Sequence, residues 1–135
     1  MLRQSILIRT DLGFSTGLYA AQVAHCHFEP MRRYFLSNPR ETETEEFQEW
    51  VKSPYIFVHA VPNKESLDYF YQKALAAETP VPVVCWYDTV EIKVSATQKI
   101  VVSKVWVGIT LGVAESDRIR EIIGDLPLLG NPTPS

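Results

Sequence analysis

The sequence predicts an α/β fold in which helices cross over a small sheet that is at least partly parallel. Three observations predict it. Residues 5–28 open as a short apolar run, a glycine-bearing loop and a long amphipathic stretch. The whole chain then reads strand, helix, strand, helix, strand, strand, helix. At 135 residues, 46% hydrophobic and 21% charged, it is long enough to bury a core without disulfides or a structural metal, so a single domain over residues 1–130 is expected.

Ser5-Ile6-Leu7-Ile8 is β-branched and apolar and ends in Arg9-Thr10-Asp11, as a buried strand leaving a sheet would. Gly13 and Gly17 bracket Phe14-Ser15-Thr16, and Ser15 or Thr16 is placed to cap a helix whose first turns include Leu18 to Ala21. A strand feeding such a loop and helix N-terminus offers free backbone N–H groups to an anionic ligand such as phosphate. Along the helix, Ala21, Ala24, Phe28, Met31 and Phe35 recur at three- and four-residue steps as a packing stripe. Gln22, His25, Glu29 and Arg32 follow the same spacing on the neighbouring face. Gln22 and His25 therefore point the same way, either toward a ligand held at the loop or as the solvated side of the helix.

Ser37-Asn38-Pro39-Arg40 breaks the pattern, and Glu41 to Trp50 reads as a short acidic helix packed through Phe47 and Trp50. Tyr55 to Val61, between Pro54 and Pro62, is a second strand; His59 inside it is expected to be structural. Asn63 is a good N-cap, and Ser66 to Glu78 carries Leu67, Phe70, Tyr71, Ala74 and Leu75 at helical spacing. Val81 to Tyr87 is a third strand ending at Asp88, Val101 to Ile109 a fourth, and Asp117 to Ile123 a last helix closed by Gly124. Residues 131–135 are expected to be a flexible tail. In such sheets ligands bind off the carboxyl ends of the strands, where Arg9-Thr10-Asp11 and Asp88 lie.

Composition narrows the function classes. No apolar run approaches a membrane span and the N-terminus carries no leader-like segment, so a cytoplasmic protein with no membrane partner is expected. Cys26 and Cys85 are expected to be free thiols. The net charge of −3 hides a segregation: residues 1–40 hold five arginines against two acidic residues, and residues 41–80 hold three lysines against eight. A nucleic-acid surface would have to draw on Arg3, Arg9, Arg32, Arg33, Arg40, Lys93, Lys99 and Lys104. His25-Cys26-His27 resembles a metal motif, but helical neighbours two apart point about 200° away from each other, so no metal site is expected there. There is no G-K-[ST] phosphate loop, no dinucleotide fingerprint and no G-x-S-x-G, and no cofactor is expected. Phe14, Tyr19 and Trp86 are candidates to stack on a base or a substrate side chain, or to be core.

Ile8-Arg9-Thr10-Asp11-Leu12, Gly17 and Ala20-Ala21-Gln22-Val23-Ala24-His25 resemble, without a gap, the opening signature of the type 2 peptidyl-tRNA hydrolases, roughly R-x-D-L-x-M-G-K-G-K-x-A-A-Q-x-[AS]-H. Trp50 with the 55–61 strand and Pro62 to Leu67 resemble that family's second block. Thr97-Gln98, Ser103-Lys104 after four intervening residues, and Val107-Gly108-Ile109 resemble its T-Q…S-x3-[VL]-G-I-G segment, and Gly124 to Leu128 its closing G-x-L-K-L. The resemblance spans about residues 5–129. It implies a three-layer α/β/α fold with a four-stranded mixed sheet, hydrolysis of the ester between a peptide and tRNA, and a homodimer.

The lysines of the family loop fall on Thr16 and Leu18, and the second of these is the position that the family treats as catalytic. Asp88 matches the family aspartate only with a five-residue insertion near Thr89 to Lys93; without it that aspartate falls on Lys93. The resemblance makes His25, Asp88, Gln22, Thr97 and Gln98 the candidate catalytic residues. Arg9, Asp11, Ser15, Thr16, Gly17, Lys93 and Lys99 are the candidate substrate-binding residues, with Lys93 or Lys99 placed to replace the absent lysine. Two other readings stay open: a non-catalytic relative that binds tRNA, a nucleotide or a protein, and a small-molecule enzyme on the same fold.

Overall fold

The computed structural model of the protein describes residues 1–37 and 45–130, with the side chains of residues 34–37 outside the description. The Ser37–Arg40 break, the start of the acidic helix and the 131–135 tail thus fall wholly or partly outside the described residues. Four strands and four helices follow one another as β1 Leu2–Arg9, α1 Thr16–Ser37, α2 Glu45–Lys52, β2 Ile56–Val61, α3 Lys64–Leu75, β3 Val83–Lys93, β4 Lys99–Glu115 and α4 Ser116–Ile123. The sheet order is β2-β1-β4-β3. β1 and β2 are parallel and the other pairs antiparallel, so the sheet is mixed and α1 and α2 form the long crossover that a parallel pair needs.

Alternation along β1 divides the core. Ile6 and Ile8 face α1 and pack with Leu12, Phe14, Cys26, Val90 and Val107. Leu7 faces the other way and packs with Leu67, Ile109, Leu111, Ile119 and Ile122 beneath α3 and α4. Strand β1 is apolar on both faces because helices cover both. The chain end also covers the outer side of β2, where Ala60 N donates to Pro127 O and Leu129 N to Val58 O, closing part of an open edge. His59 is structural as expected: its Nδ1 meets Leu126 O at 3.0 Å and its Nε2 meets Ser5 Oγ at 3.3 Å, and burial pushes its pKa down. Among the described residues no helix is long and apolar enough to cross a membrane.

Three sequence expectations need correction. First, α1 buries a different face. Ala21 and Ala24 are exposed, and Phe28 is 53% exposed, while Gln22, Cys26, Glu29 and Pro30 are buried. The packing stripe contains polar residues with internal partners, such as Glu29 with Arg32 and Arg33, so hydrophobicity alone chose a face about one residue's rotation away. Second, β3 and β4 run far past Tyr87 and back from before Val101. Val90, Glu91, Ile92 and Lys93 pair with Val102, Val101, Ile100 and Lys99. Their period-two pattern puts Val90 and Ile92 toward the core and Glu91 and Lys93 toward water. Third, α3 begins at Lys64 rather than Ser66, its N-cap Asn63 accepting from Ser66 N at 2.9 Å.

Two local features let α1 lie on the sheet. A Cβ on Gly108 would stand 2.6 Å from Leu7 O and 3.1 Å from Cys26 Sγ, so only glycine permits this approach. Pro30 sits inside α1, and its missing N–H leaves the carbonyl four residues back without its helical donor. That carbonyl belongs to Cys26, and Thr110 Oγ1 donates to it at 2.7 Å from the adjacent strand. Replacing Thr110 by Val keeps the shape and removes this donor. A loss of about 1–3 kcal/mol in unfolding free energy is expected by urea denaturation, and an unchanged midpoint would contradict the account.

Candidate functional site

The loop after β1 is built from charge and turn chemistry. Arg9 forks onto Asp11, Nε to Oδ1 at 3.0 Å and Nη2 to Oδ2 at 2.9 Å, while its Nη1 donates to Trp106 O at 3.1 Å. The Arg9 hydrogen bonds hold the Asp11 carboxyl below its ordinary pKa. Both side chains are therefore engaged with each other. Gly13 then turns the chain with φ of 69°, a left-handed conformation that suits glycine. Phe14 is buried edge-on against Tyr19, centroids 5.4 Å apart.

Of the two possible caps, Ser15 is the one used: its Oγ accepts from Leu18 N at 3.3 Å and its carbonyl from Tyr19 N at 3.0 Å. Thr16 and Gly17 are exposed in the first turn, whereas Leu18 is half-buried against the Ile6/Ile8 cluster. The helix thus presents its first-turn amides to solvent beside the loop, and the position matching the second family lysine is part of the core.

One turn further along, Gln22 is 2% exposed. Its Nε2 donates to Asp88 Oδ2 at 3.0 Å, and its Oε1 accepts from Trp86 Nε1 at 2.8 Å. Trp86 and Asp88 stand two apart on β3 and so share the face toward α1. Asp88 Oδ1 accepts from Thr89 N at 2.8 Å. His25, exposed, stacks its ring on Trp86 with centroids 4.7 Å apart and planes within 17°. The four residues form one chain of contacts: His25 on Trp86, Trp86 to Gln22, Gln22 to Asp88. Cys26 lies beneath, its thiol pushed up to about 12 by burial, which leaves it protonated and a poor nucleophile at neutral pH. His27 faces another way, its Nδ1 meeting Gln4 Oε1 at 2.7 Å.

The remaining candidates lie along the β3–β4 hairpin. Lys93 roots beside the loop, since a Cβ on Gly13 would stand 3.9 Å from its Cβ. Lys99 pairs with it across the hairpin. Thr97 and Gln98 form the tip, where Ser95 Oγ accepts from both of their amides at 3.4 and 3.1 Å. From Asp88 to Lys93 is already about 17 Å of extended strand, so the structure does not bring Thr97 and Gln98 to the Gln22–Asp88 pair. Of the candidate basic residues, Arg32 and Arg33 are engaged by Glu29, Arg3 lies over the Phe57 ring at 4.7 Å, and Arg40 is outside the described residues.

Sequence reasoning missed the hydrogen bond that makes Trp86 a bridge to Gln22; the signal available was its two-residue spacing from Asp88. It also missed Lys64 and Tyr87, which join Arg9 and Lys104 in a cleft at the same end of the sheet.

A mixed four-stranded sheet between two helical layers, with a charged loop and helix N-terminus at the carboxyl end of its first strand, defines a three-layer α/β/α protein of the fold that the resemblance implies. The model of the family Peptidyl-tRNA hydrolase PTH2 matches residues 2–129, and the chain belongs to that family. No curated protein sequence matches it significantly.

Replacing Gln22 by Leu removes the amide and strands Asp88 Oδ2 and Trp86 Nε1. The expected result is a loss of about 1–3 kcal/mol in stability together with a change in Trp86 fluorescence, read by urea titration. Unchanged stability and emission would show that the bridge does not hold in solution.

Proposed function

We propose that this chain hydrolyses the ester joining a peptide or N-blocked amino acid to the terminal ribose of tRNA. Membership of the family carries the substrate class, and the observation that carries the site is the Gln22–Asp88 hydrogen bond. It joins the helix signature to the strand aspartate beside an exposed histidine.

In this reading His25 takes a proton from water as the water oxygen bonds to the ester carbonyl carbon, and returns it to the ribose oxygen as that C–O bond breaks. Asp88, held by Gln22 and Thr89 N, orients the water. Gln22 acts as a positioning residue, because both ends of its amide are committed. The oxyanion needs donors, and the first-turn amides of Thr16 and Gly17 supply them in place of the lysine that Leu18 replaces, while Lys93, rooted beside Gly13, contacts the tRNA backbone at the loop. Arg9, Asp11 and Ser15 shape the loop, while Lys99, Thr97 and Gln98 contact the tRNA body from the hairpin. A homodimer and a cytoplasmic setting belong to the same reading.

Leu18, packed into the apolar cluster, favours a second reading, a relative that binds tRNA without turnover. Single-turnover hydrolysis of an N-acetyl-aminoacyl-tRNA separates the two. The proposal expects wild-type turnover that falls about 10²–10⁴-fold in His25→Ala, whereas Lys93→Ala weakens tRNA binding and lessens its salt dependence. Salt-sensitive tRNA binding with no wild-type turnover would overturn it in favour of the second reading.

A further inference from the structure

A cleft of about 510 Å³ opens past the carboxyl end of β1, lined by Arg9, Lys64, Tyr87, Lys104 and Trp106, with Leu12, Ile92 and Val105 completing its walls. Tyr87 follows Trp86 in β3, so its side chain leaves the opposite face of the sheet from the Gln22–Asp88 bridge. Leu12, Ile92 and Val105 come from the α1 side, so the cleft adjoins the site described above and shares Arg9 with its loop, while its aromatic wall and Lys64 lie beyond the Gln22–Asp88 bridge. Three features mark it as built to hold something.

The first is charge. Arg9 is neutralised by Asp11, but Lys64 and Lys104 make no hydrogen bond or ion pair with any described residue. Two uncompensated cations facing one concave space create a field that attracts an anion. The second is a supported aromatic surface. The Tyr87 ring stacks on Trp106, centroids 5.9 Å apart and planes within 19°, and Trp106 is held by the Tyr71 edge at 5.5 Å and by its own Nε1 donating to Gly108 O at 3.1 Å. With one face so supported, Tyr87 remains 50% exposed. The third is backbone geometry. Trp86 pairs with Gly108 but Tyr87 with Trp106, and Asp88 pairs with Val105 but Val90 with Val102, so β4 carries an extra residue on each side of the cleft. Bulges of this kind re-aim side chains next to sites. Lys104 sits in the second of them with φ of 57°, a left-handed conformation that a lysine rarely takes and that concentrates at ligand clamps.

Cations beside a supported ring are the arrangement that takes a phosphate and a base together, and the volume lies within the range of small-ligand sites. We propose that this cleft binds a nucleoside phosphate, its base on Tyr87 and its phosphate between Lys64 and Lys104. The ligand is either a free nucleotide or the unpaired 3′ end of an RNA, and the proposal stands whether or not the chain hydrolyses esters.

The test is equilibrium binding of AMP, inorganic phosphate, intact tRNA and tRNA trimmed of its unpaired 3′ nucleotides. Each is measured on the wild type and on Tyr87→Ala, Tyr87→Phe, Lys64→Gln and Lys104→Gln, with thermal unfolding confirming that each variant is folded. The expected result is at least tenfold weaker binding of AMP or of intact tRNA in Tyr87→Ala and in both lysine variants, with Tyr87→Phe retaining wild-type affinity. A Tyr87-dependent AMP affinity assigns the cleft to a free nucleotide. A Tyr87 effect confined to intact tRNA and lost on trimming assigns it to an RNA end. Binding of AMP no tighter than of phosphate, with no ligand sensitive to Tyr87→Ala, overturns the proposal. Turnover read on the same samples separates the two ideas. Turnover without a Tyr87 effect removes the cleft alone, and a Tyr87 effect without turnover removes the hydrolase reading alone.

Discussion

The Gln22 side chain joins helix α1 to strand β3 through both ends of one buried amide. A buried amide left unpaired costs more than the pair contributes, so its geometry is confined: the nitrogen must meet Asp88 and the oxygen must meet the Trp86 indole. Much of the site follows. Trp86, fixed edge-on by Gln22, offers its ring to His25. Asp88, fixed by Gln22 and Thr89 N, keeps its carboxylate toward α1 at the end where the β1 loop and the helix N-terminus converge. A helix displaced by one residue's rotation would break both hydrogen bonds at once.

The sheet beneath is arranged to permit that approach. Gly108 lets α1 come within reach of β1 and β4, and Thr110 supplies the hydrogen bond that Pro30 removes from Cys26. The extended β3–β4 hairpin changes what surrounds the site. It carries Thr97, Gln98 and Lys99 outward and roots Lys93 against the Gly13 loop, while Leu18 becomes core. A lysine on the hairpin thus stands near the loop where the family places one on the helix. The two bulges in β4 lie beside the cleft that Tyr87 and Trp106 wall at the same end of the sheet.

The layers, the sheet and the first strand, loop and helix were legible in the sequence because their signals are local: apolar runs of strand length, an N-cap at Ser15 or Asn63, turns at Gly13 and Pro62. The buried face of α1 was not, because Gln22 and Glu29 are polar residues whose partners, Asp88 and Trp86 for the first and Arg32 and Arg33 for the second, make burial tolerable. Periodicity counts hydrophobicity and has no knowledge of a partner sixty residues away. The resemblance places a five-residue insertion near Thr89 to Lys93, where β3 in fact continues, because Glu91 and Lys93 dilute the apolar signal on its exposed face. The Tyr87 cleft was hidden for a third reason: it depends on register shifts that no pattern of residue types encodes.

The central claim is that the acyl end of tRNA is handled at His25, Trp86, Gln22 and Asp88, with the hairpin tip outside the reacting centre. The most direct measurement is NMR of the side-chain resonances during titration with an N-acetyl-aminoacyl adenosine whose ester is replaced by a non-hydrolysable amide. The account predicts shifts at the His25 imidazole, the Trp86 indole N–H and the Gln22 side-chain amide, with Thr97 and Gln98 undisturbed. Shifts confined to Thr97 and Gln98, with the Gln22 amide and the Trp86 indole unmoved, would contradict it.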